Sequence, residues 1–98
     1  MLEVFETDEF SKWLRNLKDR RARSKILVRV GRLAHGNPGD VQPVGGGISE
    51  LRINYGPGYR VYYIQRGTRY ILLLAGGNKG TQASDIAEAK RLADEYEE

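Results

Sequence analysis

Apolar positions recur along the chain with two different periods. Phe10, Trp13, Leu14 and Leu17 fall at i, i+3, i+4 and i+7, the spacing of one helical stripe. Thr7 stands ahead of them as a side-chain cap, and Asp8 and Glu9 occupy the first turn, where carboxylates oppose the helix dipole. A second stripe, Ile26, Leu27, Val30 and Leu33, predicts a helix from about Arg20 to Ala34 that stops at Gly36. A third helix is expected in SDIAEAKRLADEYEE (84–98), with Ser84 as cap and Ile86, Ala89, Leu92 and Ala93 inward.

The period shortens to two elsewhere. LEVF (2–5) reads as a short opening strand, and ISELRIN (48–54), YRVYYIQ (59–65) and RYILLLA (69–75) as three longer ones. The turns between the last three, YGPG and RGT, are hairpin length, so these strands should form an antiparallel meander. ILLLA is apolar at both parities, as a strand covered on both sides must be. GNPGDVQPVGGG (36–47), with five glycines and two prolines, reads as a loop. The order βααβββα predicts an α+β fold: an antiparallel meander sheet with the two N-terminal helices on one face, joined there by the C-terminal helix. Residues 1–98 are enough for one domain.

Composition narrows the class. The chain is 40% hydrophobic and 30% charged, a folded rather than a disordered balance. No apolar run approaches the roughly 20 residues of a membrane span, and MLEVFETDEF carries no export signal, so a cytoplasmic location is expected. With no cysteine, disulfides and thiolate ligands are excluded. The single histidine, His35, ends the second helix, where it suits a cap better than catalysis. Neither a metal site nor a Ser–His–Asp arrangement has support, and no cofactor is implied.

Charge is unevenly placed within a net of +3. Lys12 to His35 hold nine bases and one acid, Asp19, whereas residues 82–98 hold six acids and two bases. A basic body with an acidic tail suits a polyanion or an acidic protein segment as partner; a solvated helix face is the alternative.

Strand parity then sorts the candidate chemistry. Leu51 and Ile53 share one face, and Glu50, Arg52 and Asn54 the other; Val61 and Tyr63 oppose Arg60, Tyr62 and Ile64. If YGPG pairs the strands without a slip, an open face presents Arg52, Arg60 and Tyr62, with Glu50 nearby. Guanidinium forks match phosphate, and tyrosine stacks on bases. Arg52 can instead pair with Glu50 at i+2, whereas Arg60 has no acid in its own strand. GGNKGT (76–81) is not a P-loop, because its lysine precedes its last glycine. Lys79 is left to reach an anion or to solvate a turn.

Taken together, ELRINYGPGYRVYYI and ILLLAGGNKGTQASDIAEAKRLA resemble the RelE/ParE toxin superfamily, most closely its HigB-like branch, over essentially the whole chain. The resemblance implies the toxin of a type II toxin–antitoxin system, held in a hetero-oligomer by a cognate antitoxin that is typically a helix-turn-helix DNA-binding protein. It implies a metal-independent mRNA endoribonuclease that uses the RNA 2′-OH as nucleophile, often on the ribosome. ParE-type members inhibit DNA gyrase instead. Arg60 matches the strand arginine that contacts the scissile phosphate, Arg52 a basic position on the preceding strand, and Lys79 lies near the basic residue after the last strand. Lys79 is then a candidate base or acid, Glu50 a second base, and Tyr62 a proton donor or stacking surface. Arg66, Arg69, Lys12, Arg20, Arg21 and Arg23 are the expected RNA contacts. One element has no counterpart: RelE-type nucleases often carry a tyrosine shortly after the last strand, where this chain continues KGTQASDIAEA. The gyrase-type alternative stays open for that reason.

Overall fold

In the computed structural model, which describes residues 1–96, a single buried threonine joins the first helix to the sheet. Glu97 and Glu98 of the acidic tail lie outside the described residues. The chain runs β1 (Glu3–Glu6), α1 (Asp8–Asn16), α2 (Arg20–Ala34), β2 (Val41–Gly45), β3 (Ile48–Ile53), β4 (Tyr59–Arg66) and β5 (Tyr70–Asn78). A 3₁₀ turn (Lys79–Thr81) then leads into α3 (Gln82–Glu95). Thr7 caps α1 by accepting from the Phe10 amide at 3.0 Å, and its hydroxyl donates to the Leu74 carbonyl of β5 at 2.7 Å. Asp19 caps α2 in the same way, accepting from the Arg21 and Ala22 amides.

The sheet order is β1-β5-β4-β3-β2. β2 to β5 pair antiparallel, as the meander requires, and β1 closes the other edge parallel to β5. The α+β fold expected from the sequence is the fold observed. On one face α1 and α2 bury Phe10, Ile26, Val30 and Leu33 against Leu51, Val61, Tyr63 and Leu73. On the other, α3 buries Ala89 and Leu92 against Ile48, Tyr62, Ile64 and Leu74. The C-terminal helix therefore does not join the other two on one face. The reason lies in β4, where Val61, Tyr62, Tyr63 and Ile64 are all buried, so that both parities demand cover.

Four local expectations change. The segment read as a loop contains β2, an edge strand whose Pro43 forfeits a ladder donor at little cost because an edge has one side free. Leu27 is 52% exposed rather than inward, since the buried stripe of α2 runs through Ala22, Ile26, Val30 and Leu33. α3 begins at Gln82, two residues before Ser84, whose hydroxyl instead donates to the Thr81 carbonyl. Finally, β5 continues through Gly76 and Gly77 instead of ending at residue 75.

The glycine pair answers to packing. A Cβ on Gly76 would lie 2.2 Å from the Trp13 ring, and one on Gly77 would lie 1.7 Å from an Asp85 carboxylate oxygen. The sheet can thus sit directly under the indole on one side and the start of α3 on the other. Gly76→Ala should overpack this contact and cost about 1–3 kcal/mol, read as a lower urea midpoint at unchanged m-value. Among the described residues, no helix is long and apolar enough to cross a membrane.

Candidate functional site

The YGPG turn sets the register on which the site depends. Gly56 and Gly58 hold φ values of +56° and +79°, which a residue with a Cβ rarely adopts, and the Gly58 amide closes the turn on the Tyr55 carbonyl at 3.1 Å. The strands then pair without a slip at this end, placing Arg52 directly opposite Arg60. Two like charges facing across a ladder repel, and Glu50, two residues upstream of Arg52, compensates them. Its Oε1 accepts from Arg52 Nε at 2.9 Å and lies 3.7 Å from Arg60 Nε. Its Oε2 accepts from the Tyr62 hydroxyl at 3.1 Å and from Gln82 Nε2 at 2.6 Å.

Glu50 is wholly buried, and burial alone pushes its carboxyl up. Hydrogen bonds from Arg52, Gln82 and Tyr62, with the charge of Arg60, outweigh that and hold it below the ordinary carboxylate value. Tyr62 goes the other way: burial first, then the neighbouring Glu50 charge, raise its hydroxyl well above the usual phenol value. It stays protonated as a donor to Glu50. The open face expected for Arg52, Arg60 and Tyr62 is thus closed over Tyr62 and Glu50 by α3, whose first residue, Gln82, binds the carboxylate. Tyr62 has no accessible ring for a base to stack on, and Glu50 has its acceptors committed.

What stays open is a cleft of about 400 Å³ at the turn end of the strands, lined by Arg52, Arg60, Lys79, Asp40, Asn54 and the Gly56–Gly58 turn. The three cations singled out in the sequence meet here. Arg60 has only 13% of its side chain exposed, yet its fork is barely used. Nη1 makes long contacts, 3.3 and 3.4 Å, with the Gly58 and Tyr59 carbonyls, and among the described residues the buried Nε has no hydrogen-bond partner. A buried donor without a hydrogen bond costs on the order of 1–3 kcal/mol, offset here by the charge of Glu50 Oε1 at 3.7 Å. Arg52 is more committed, with Nη2 donating to Gln42 Oε1 at 2.5 Å as well as Nε to Glu50.

Arg29, Gln82 and Asp40 were not singled out in the sequence. Arg29 donates to the carbonyls of Arg52, Pro38 and Asp40, tying α2 to β3 and to the segment before β2. Gln82 is the link from α3 to Glu50. Asp40 is the one acid among the described residues that lines the cleft, and the Arg52 amide donates to its carbonyl at 3.0 Å. Their signal was absent because it depends on the pairing of β2 and on the packing of α3. The remaining expected contacts do not line the cleft. Arg66 and Arg69 sit at the far hairpin, some six residues or roughly 20 Å along β4 from Arg60, with Arg69 over the Tyr70 ring. Lys12 flanks Trp13 on α1, and Arg20, Arg21 and Arg23 lie in the first turn of α2.

Comparison with known proteins places this geometry in context. The family model described as "Phage derived protein Gp49-like" matches residues 12–97. A protein of Haemophilus influenzae described as an uncharacterized protein is 47% identical over 94 residues, covering 96% of this chain and 95% of that one. The solution structure of the conserved hypothetical protein HP0894 from Helicobacter pylori superposes with a TM-score of 0.55 at 21% identity. The match covers 82% of this chain and 97% of that one, a likeness of fold.

Proposed function

This chain belongs to the phage-derived Gp49-like protein family, and on that footing we propose that it is a toxin that cleaves mRNA without a metal ion. The family is toxin-like and related to the RelE/ParE-type toxins, and a toxin of this kind implies a cognate antitoxin. A place beside the HigB-like branch, a helix-turn-helix antitoxin and action on the ribosome are finer parts of the same proposal. The observation that carries it is the cleft itself: Arg52 and Arg60 side by side, Lys79 at the rim, and an Arg60 Nη1 that makes only long contacts.

In the proposed reaction the RNA 2′-OH attacks the adjacent phosphorus, the bond from phosphorus to the 5′-oxygen breaks, and a 2′,3′-cyclic phosphate and a 5′-hydroxyl result. Arg60 and Arg52 face the oxygens that gain charge in the phosphorane, where a permanently charged fork is worth most. Lys79, exposed at the rim, delivers a proton to the 5′-oxygen. For the proton of the 2′-OH, Glu50 is out of reach behind its four partners and Tyr62 holds its own proton. Asp40, exposed and lining the cleft, is the acceptor. Glu50, Tyr62 and Gln82 then act as positioning residues that fix the two guanidiniums.

Induced expression in a bacterium, with 5′-ends mapped on abundant transcripts, tests the reading. Discrete new ends are expected. Growth arrest without them, accompanied by DNA damage, would instead identify a gyrase inhibitor, the class favoured by the lack of a tyrosine among the lining residues. Asp40→Asn should lower cleavage about 10²–10⁴-fold, the usual weight of a general base, while leaving thermal unfolding unchanged.

A further inference from the structure

Beside the cleft lies a second and larger concavity, about 660 Å³, between α2 and the end of β3. Arg21, Lys25 and Arg32 line its helical wall, and Asn54 and Tyr55 the opposite one. Arg21, Lys25 and Arg32 fall at i, i+4 and i+11, one face of a helix, and form a stripe roughly 16 Å long. Among the described residues no acid lines this groove, and α2 contains none. Asp19, at the start of α2, is already engaged: it caps the helix and accepts from the Tyr55 hydroxyl at 2.9 Å. Asn54 lines both concavities, so the groove opens out of the cleft at the turn.

We infer that this groove is the track for the RNA strand as it leaves the cleft, with Lys25 and Arg32 on successive phosphates and Tyr55 under a base. The inference rests on the reading of the cleft as an RNA site. The half-buried Tyr55 ring is fixed through its hydroxyl and packs against the core, and Lys25 Nζ lies 5.2 Å from its centroid. A cation over a half-exposed ring is held more weakly than a stacked base, so a nucleotide can take the place of Lys25 and release it to a phosphate. An acidic peptide would satisfy the charges but would have no reason to continue past Asn54 into the cleft.

The test is binding of a labelled twelve-nucleotide single strand of 2′-O-methyl RNA, which cannot be cleaved, by fluorescence anisotropy over a salt series. Single strands give a slope of about −0.7 per phosphate contact in log K against log salt. The double variant Lys25→Ala/Arg32→Ala should therefore flatten the slope by about 1.4. Arg66→Ala/Arg69→Ala, which removes the same charge at the far hairpin, should flatten it much less. Equal flattening in both doubles, an unchanged slope in the first, or no binding by the wild type would overturn the track. So would a poly-glutamate peptide that competes for Lys25 and Arg32 while the RNA does not, which would give the groove to an acidic protein segment. Because the RNA is uncleavable, loss of the nuclease reading in cells with a flattened slope here leaves the track standing. New 5′-ends in cells with an unchanged slope remove the track alone.

Discussion

Arg60→Ala should abolish growth arrest while leaving the protein folded and still able to bind its antitoxin. The argument starts from what the guanidinium does without ligand, which is little. It has no hydrogen bond from Nε, two long contacts from Nη1, and a 3.7 Å approach to Glu50. Glu50 keeps three closer donors in Arg52, Tyr62 and Gln82, so removing Arg60 leaves no carboxylate stranded. The loss in the transition state is larger, because a preorganised charge facing a phosphorane is worth about 2.7–4 kcal/mol, or 10²–10³ in rate. Arg60→Lys separates charge from fork: a lysine keeps the charge but offers no planar pair of donors, so most of the activity should still be lost. Cleavage at wild-type rate in Arg60→Ala would remove the phosphate assignment. Loss of activity together with a collapsed thermal transition would make the residue structural.

The two arginines of the cleft were legible in the sequence because each depends on local pattern. Period-two alternation put Arg52 and Arg60 on one face, and a glycine–proline–glycine turn fixed their register. Lys79 was grouped with them only by the resemblance, and the extension of β5 to Asn78 brings it to the cleft. The other half of the site was hidden for a physical reason: it is made by contacts between elements far apart in the chain. Tyr62 reads as an exposed aromatic until α3 is laid over it, and whether a helix covers that face is decided by Ile48, Ile64 and Leu74 acting together. Gln82 and Glu50 are 32 positions apart. Asp40 falls in a glycine- and proline-rich segment whose strand, β2, has two half-buried valines, too few to show a period. The same holds for Arg29, one of nine bases between Lys12 and His35, distinguished by the three carbonyls it binds.

Glu50→Ala should be the most destabilising single change at the site, costing on the order of 3–5 kcal/mol, because it strips a buried ion pair of its anion. Arg52, Tyr62 and Gln82 all lose an acceptor, and Arg60 keeps a largely buried charge without its Glu50 counter-ion. The pH dependence has a definite sign. Glu50 has a lower pKa folded than unfolded, so between the two values the unfolded chain binds more protons and stability rises with pH. The contribution is complete above the ordinary glutamate value of about 4.3 and is lost as pH falls below it toward the folded value. Glu50→Gln, which keeps the volume but not the charge, should flatten the stability curve in that acid window and leave its shape near neutral pH unchanged. The coupling to Arg60 follows: with Arg60 already replaced by alanine, Glu50→Ala should cost less than it does alone, since one of the stranded charges is gone. An equal cost in both backgrounds would mean that Glu50 serves Arg52 only, and that the position of Arg60 is set by the strand and by whatever anion enters the cleft.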